Sequence, residues 1–224
     1  MKKFYVLGLA LISAFAFSAV AAGAASAETL EWLVKGKQIL GAEAFTVETK
    51  GLLHLIHLAG GFLNPEAIIH CEGTFDGKVL PAGADTVEAL LEALGHEVNS
   101  SNPLSCENLL NCSNPEVFPQ NLPWNTQLVL MAGPPVVWLD LFSSSGAGNP
   151  AYEIKCGVVK ILCEGETSAV VTNLATSVLG VFNAEELELE SLEGKCGSSN
   201  NVALQEGEGV TTLDNGEELQ VSEV

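Results

Sequence analysis

The sequence predicts a mostly β protein, an antiparallel sandwich or barrel held by disulfides, with at most one or two short helices. Three observations carry this. Short apolar or alternating runs recur with turn residues between them about every 8–12 residues, the spacing of sandwiches and barrels. Six cysteines all lie downstream of an apparent export signal, and an oxidising compartment makes three disulfides the default. The central stretch Asn121-Leu122-Pro123-Trp124-Asn125-Thr126-Gln127-Leu128-Val129-Leu130 alternates as a half-buried strand does.

The chain has 224 residues and begins with Lys2 and Lys3 ahead of an apolar run over 4–22. Small residues follow, ending Ala25-Ser26-Ala27. This is the layout of a secretory signal peptide, with cleavage expected between Ala27 and Glu28. An uncleaved N-terminal membrane anchor is the alternative, because the apolar run is long. The expected organisation is a signal peptide over 1–27, an N-terminal β half over 28–120 and a C-terminal β half over 121–224, the halves packing as one unit.

Cleavage would leave 197 residues, remove two lysines and no acid, and take the net charge from −19 to −21. The acid is 24 Glu and four Asp, and there is no Arg. Nucleic acid requires a basic footprint, which is missing. Anionic membrane surfaces would repel the processed chain. Phosphorylated substrates usually meet Arg forks or Gly-rich phosphate loops, and neither is present. The charge reads as solubility outside the cell, with apolar content too high for a disordered acidic tail.

Taken in order, residues 31–34 and 38–40 read as strands around a Lys35-Gly36-Lys37 turn. Residues 45–49 alternate. The run 52–58 is nearly all apolar and carries His54 and His57, and His70 follows in a strand over 67–74 with Cys71. These three histidines have no acidic partner at ligand spacing, so they read as partly buried or edge residues rather than metal ligands. Asp76-Gly77 is a turn signal before 78–80, and Pro81-Ala82-Gly83 breaks the chain. Over 85–94, Asp85-x-x-Glu88 resembles a capping box and Leu90, Leu91 and Leu94 have helical spacing, which predicts a short helix ended by Gly95. Residues 99–119 read as a polar loop.

In the central stretch Pro123 restricts Leu122 to extended backbone. Trp124, Thr126, Leu128 and Leu130 then share one face, with Pro123 and Trp124 as structural anchors. Leu122-Pro123-Trp124-Asn125-Thr126 resembles a cell-wall sorting motif. Gln127 replaces its glycine, however, and no apolar, basic tail follows. Further strands are predicted over 136–142, 152–156, 160–164, 169–173 and 178–183. Gly133-Pro134-Pro135 reads as a turn and 143–150 as a loop. Residues 185–192 read as a Glu-rich edge strand. Asp214-Asn215-Gly216 is the strongest hairpin signal in the chain, predicting that 209–224 folds back on itself.

Cys71, Cys106, Cys112, Cys156, Cys163 and Cys196 allow fifteen pairings. Cys106–Cys112 within one loop, with the other four paired among neighbouring strands, is the expected pattern. Three cysteines precede the central stretch, so at least one bridge must join the halves. Their x5 and x6 spacings are not zinc spacings. Cys71-Glu72-Gly73-Thr74 is echoed by Cys163-Glu164-Gly165-Glu166-Thr167. No lipase, metalloprotease, P-loop, dinucleotide or EF-hand motif occurs. Ser143-Ser144-Ser145 reads as loop, and no cofactor site is indicated.

Several pieces occur together in a family pattern: Glu31-Trp32-Leu33-Val34-Lys35-Gly36-Lys37, Cys71-Glu72-Gly73-Thr74, and Asn121 to Leu128 as written above. Tyr152-Glu153-Ile154-Lys155-Cys156 and Cys163-Glu164-Gly165-Glu166-Thr167-Ser168 complete it. In these the chain resembles a group of uncharacterised exported proteins of high-GC Gram-positive bacteria with a central NLPWxTEL-like segment. Gln127 stands where that segment has Glu, and the run with His54 and His57 differs. The resemblance implies export and a β-rich fold, and it transfers no functional residue.

The expected function is a binding or structural role outside the cell toward an extracellular or cell-envelope partner. A secreted hydrolase acting on polysaccharide or another envelope polymer is the alternative, and a divalent-ion-dependent surface protein a third reading. N-terminal sequencing of the chain recovered from culture medium is expected to start at Glu28. A start at Met1 in the membrane fraction would establish the anchored form.

Overall fold

The computed structural model describes residues 29–49, 53–58, 67–92, 95–99, 102–131, 136–143, 145–182, 194–196 and 201–224. In it β1 (Leu30–Val34) turns through Lys35 and Gly36 into β2 (Lys37–Gln38). Both turn residues have positive φ, 52° and 69°, the backbone of a two-residue hairpin that matches strand twist.

The chain then runs up and down through two tiers. β3 (Glu43–Thr49) leads into β4 (Leu53–Leu58), β5 (Ala67–Cys71) into β6 (Thr74–Val79), and β7 (Ala84–Leu91) into β8 (Leu104–Leu110). β9 (Glu116–Gln120) leads into β10 (Trp124–Met131), and β11 (Val137–Ser143) into β12 (Ala151–Cys156). β13 (Val159–Glu164) leads into β14 (Thr167–Asn173), and β15 (Val178–Phe182) into β16 (Gly194–Cys196). β17 (Asn201–Leu213) traverses both tiers, and β18 (Leu219–Glu223) leaves to pair with β1.

All pairings are antiparallel, and each long up or down segment pairs with its neighbours in sequence. The upper tier is the ring β3-β6-β7-β10-β11-β14-β15-β17, and the lower tier the ring β4-β5-β8-β9-β12-β13-β16-β17. β17 closes both. Its residues 207–213 pair with β15 and β3, and its residues 201–206 with β16 and β4. The predicted sandwich or barrel is thus a barrel, and it has two storeys. Gly207 lies at the crossing with φ 142°, a backbone that L side chains rarely adopt.

Alternation fills the interior. On β10 Trp124, Thr126 and Leu128 are buried and Asn125 and Gln127 exposed, as the sequence predicts. Trp124 sits at the waist between tiers, where its Nε1–H donates to the Gln120 carbonyl at 2.7 Å. Its ring meets Tyr152 edge-on at 5.1 Å and Phe75 at 6.2 Å, a cluster worth about 0.5–1.5 kcal/mol per aromatic pair beyond burial. The sheet β18-β1-β2 covers the open upper end, burying Leu30, Trp32, Leu219 and Val221.

Several expectations are corrected. Residues 85–94 are not a helix: 84–91 form β7, laddered to β6 and β10. The capping-box side chains are engaged elsewhere, Asp85 by Trp32 and Glu88 by Lys78 at 2.7 Å. Asp76-Gly77 is not a turn but lies inside β6 at a register shift. Gly77 is needed because a Cβ there would sit 1.9 Å from the Thr86 carbonyl and 2.7 Å from Phe45. Residues 99–119 are not a loop but contain β8 and β9. Pro119 is tolerated because β8 pairs with β9 only through Val117 and Glu116, so no ladder partner on that side requires its missing N–H. Asp214-Asn215-Gly216 does turn, with Gly216 at φ 73°, but β18 pairs with β1 rather than folding back on β17. The export signal 1–27, the Gly133-Pro134-Pro135 turn and the Glu-rich run 185–192 lie outside the described residues.

The expected Cys106–Cys112 bridge is also corrected. Cys71 is bonded to Cys106, its in-register neighbour across β5 and β8, with Cα atoms 4.5 Å apart. Cys112, just past β8, is bonded to Cys156 at the end of β12. That bridge joins the two sequence halves, as the cysteine count requires. Cys163 is disulfide-bonded as well, and Cys196 stands opposite it in the β13–β16 register. Bridges closing loops of 35 and 44 residues should each add about 2–4 kcal/mol. The double variant Cys112→Ser, Cys156→Ser is expected to lose that much in urea denaturation. Peptide mapping without reduction should join the Cys163 and Cys196 peptides, and a Cys106–Cys112 peptide would refute the register.

Candidate functional site

Asp85 and Asp140 are the two carboxyls inside the upper tier, with exposures of 4% and 8%. Strand pairing brings them together. Asp85 on β7 is opposite Thr126 on β10. Thr126 is in turn opposite Phe142 on β11. Asp140 lies two residues before Phe142 on the same face, so it is Thr126's diagonal neighbour. Trp32 descends from β1 over this group and donates its Nε1–H to Asp85 Oδ1 at 3.2 Å.

Burial decides the electrostatics. It pushes the Asp85 carboxyl up to about 7, against the lowering pull of the Thr126 hydroxyl and the Trp32 indole. Burial first, then the neighbouring Asp85 charge, holds Asp140 well above the usual carboxylate range, against the pull of Thr126. Two acids this close titrate as a pair, and this pair retains a proton at neutral pH. The polar atoms are incompletely satisfied. Among the described residues, Asp140 Oδ1 and Thr126 Oγ1 make no hydrogen bond within normal geometry.

Beneath the pair lies a cavity of about 50 Å³. Seven aromatic residues, among them Trp32, Phe45, Trp124, Phe142 and Tyr152, make up much of its wall. Phe142 and Phe182 touch at 5.5 Å between centroids. Gly180 and Gly209, opposite each other on β15 and β17, leave one wall low. A single water needs roughly 10–15 Å³, so the space suits about four water-sized groups.

The residues singled out in the sequence fall elsewhere. Pro123 follows a cis peptide at the waist and Trp124 lines the cavity floor. The bonded cysteines tie the lower tier and the turn after β8. His54 and His57 lie on β4, and His54 stands opposite His70 on β5 in the strand register. No group of three His, Cys, Asp or Glu that could hold a metal occurs among the described residues. Asp85 and Asp140 were missed as a pair. The available signal was that the chain has only four Asp, and that Asp140 interrupts the apolar face it shares with Trp138 and Phe142.

Compared with protein-family models, with curated proteins and with solved structures, the chain matches none.

The carboxyl pair makes stability depend on pH with a definite sign. In the unfolded chain Asp85 titrates near its ordinary value of 3.8, and in the fold near 7. Between these values the native state holds more protons, so stability is greatest near pH 4 and is lost as pH rises through 7. The loss belongs to the carboxyl pair, which titrates together, rather than to Asp85 alone. Urea denaturation from pH 4 to 8 should show this decline in the wild type and a flatter profile in Asp85→Asn. Parallel profiles for the two would show that the surface glutamates, not this pair, set the slope.

Proposed function

We propose that this is an exported binding protein of the cell exterior, released after cleavage behind Ala27, that takes a small ligand into the upper tier of its barrel. The observation that supports this most is Asp140. Asp140 lines the cavity, and its Oδ1 has no hydrogen-bond partner among the described residues. An unsatisfied buried acceptor costs about 1–3 kcal/mol, more when charged, and a bound molecule would offset that cost. Closed eight-stranded barrels are wide enough to hold one small ligand. Paired cysteines fit an oxidising location, and the surplus of Glu fits solubility there.

A hydrolase acting on polysaccharide or another envelope polymer remains the second reading. One observation favours it: two neighbouring carboxyls with raised pKa have the chemistry of an acid–base pair. Access speaks against it. Trp32 covers the pair, and neither carboxyl presents more than a tenth of its surface, so a polymer chain has no path to it.

A fragment set of four- to six-atom molecules, cationic, neutral and anionic, screened by saturation-transfer NMR tests the first reading. At least one fragment is expected to bind the wild type and to lose binding in Gly180→Ala. A Cβ at Gly180 would meet Ala169 at 3.5 Å, so the variant fills space without a clash. Fragments that bind both proteins alike, or none that bind, would overturn the cavity reading. Release of reducing ends from envelope polymer, abolished by Asp85→Asn, would establish the hydrolase instead.

A further inference from the structure

The cavity has a polar end and an aromatic body, and the polar end has one sign. Its ionisable wall residues are Asp85, Asp140 and Tyr152, all acids. The chain has no Arg, and no Lys or His is among the cavity's wall residues. A ligand with an anionic head would therefore place a third acid against a pair that already repel each other. What the site has in excess is acceptors. Among the described residues, Asp140 Oδ1 has no hydrogen-bond partner within normal geometry. Asp85 Oδ1 is served by Trp32. The missing group is a donor, preferably a charged one with several N–H bonds.

From this geometry we propose that the cavity takes a small organic ammonium ion, a protonated primary amine on a short alkyl body. The proposal rests on the reading of the cavity as a binding site and adds the class of ligand. The N–H donors of an ammonium would serve Asp140, which lines the cavity. The alkyl body would lie among Phe45, Phe142 and Phe182, where aromatic faces also favour a cation. Space for about four water-sized groups admits a propylammonium and little more.

A bare metal ion fits less well. Hard divalent cations collect six or more oxygens. Here the wall adds to the two carboxyls only the hydroxyl-bearing Tyr152 and Thr211, and no metal-binding group of three His, Cys, Asp or Glu occurs among the described residues.

The test is a titration of the purified protein with n-propylammonium chloride, with 1-propanol and with calcium chloride at matched ionic strength. Tryptophan fluorescence and melting temperature are the readouts, because Trp32 and Trp124 both line the cavity. The ammonium is expected to bind saturably and raise the melting temperature. The equally sized alcohol should bind at least tenfold more weakly. Asp140→Asn, checked for native circular dichroism, should weaken the ammonium at least tenfold and leave the alcohol unchanged.

Equal affinity for ammonium and alcohol would overturn the ligand class while leaving the cavity reading intact. No saturable response to either would overturn both. A response to calcium alone would assign the pair to a metal and overturn the proposal. If Asp140→Asn does not fold, the comparison of the three ligands on the wild type decides.

Discussion

Both rings of the barrel close on one strand. β17 is thirteen residues long, enough at about 3.3 Å per residue to traverse both tiers. Without it the upper tier would expose the edges of β3 and β15, and the lower tier those of β4 and β16. Open edges of that length invite pairing with other chains. Closure also sets the width. Eight strands enclose a space that side chains nearly fill, which is why seven aromatic residues and two glycines leave only a small cavity. The crossing at Gly207 is where one strand changes from serving the lower ring to serving the upper.

The interior acids follow from that closure. In an open sheet Asp85 and Asp140 would be two ordinary wet carboxyls on an inner face. In a ring, with Trp32 laid over the mouth, they are cut off from bulk solvent, and burial raises the pKa of both. The distribution of acid is consistent with this division. The Glu side chains given a burial class all lie at least partly in solvent, while the short Asp, which reaches a neighbour without filling the lumen, supplies the buried pair. The cost of burying acids is met only in part, since Trp32 serves one oxygen of Asp85 and no described residue hydrogen-bonds Oδ1 of Asp140 within normal geometry. That asymmetry separates this pair from a merely structural hydrogen-bonded one.

The class of fold was legible because alternation survives wherever one face of a strand is buried. It placed β10 with its correct face inward, the β12–β13 hairpin and the pair β14 and β15. Errors arose where a local signal was outvoted by the ring. Asp76-Gly77 has turn chemistry, but β3 and β7 hold both sides of β6, so the glycine is used to admit Phe45 instead. Asp85-x-x-Glu88 has the spacing of a cap, yet both side chains have tertiary partners. Asp214-Asn215-Gly216 turns as its residues dictate, but β17 already has partners on both sides and β18 must go elsewhere. The polar tract over 99–119 hides β8 and β9 because much of its polarity belongs to outward faces. The carboxyl pair was illegible for a related reason: 55 residues separate its members in sequence, and only the ladder β7-β10-β11 makes them neighbours.

The short echo in the sequence now has a place in the architecture. Cys71-Glu72-Gly73-Thr74 spans the passage from β5 up to β6, and Cys163-Glu164-Gly165-Glu166-Thr167 the passage from β13 up to β14. Both cysteines stand in the lower tier, each opposite another cysteine on the next strand, Cys106 and Cys196. The two passages are four long strands apart in a ring of eight, so they face each other across the barrel. The division at 120/121 falls inside the fourth long strand, between β9 and β10. Each sequence half therefore supplies half a cylinder rather than a globule. Half a cylinder has two unpaired edges and only one wall of a core, so neither half can bury what it exposes until the other closes on it. The Cys112–Cys156 bridge lies beside one of the two seams where the halves meet, β9 against β12, and it spans the halves where no short turn could hold them. A chain built this way forms its interior cavity only on completion, because the walls of the carboxyl pair, β7, β10 and β11, come from both sides of that seam.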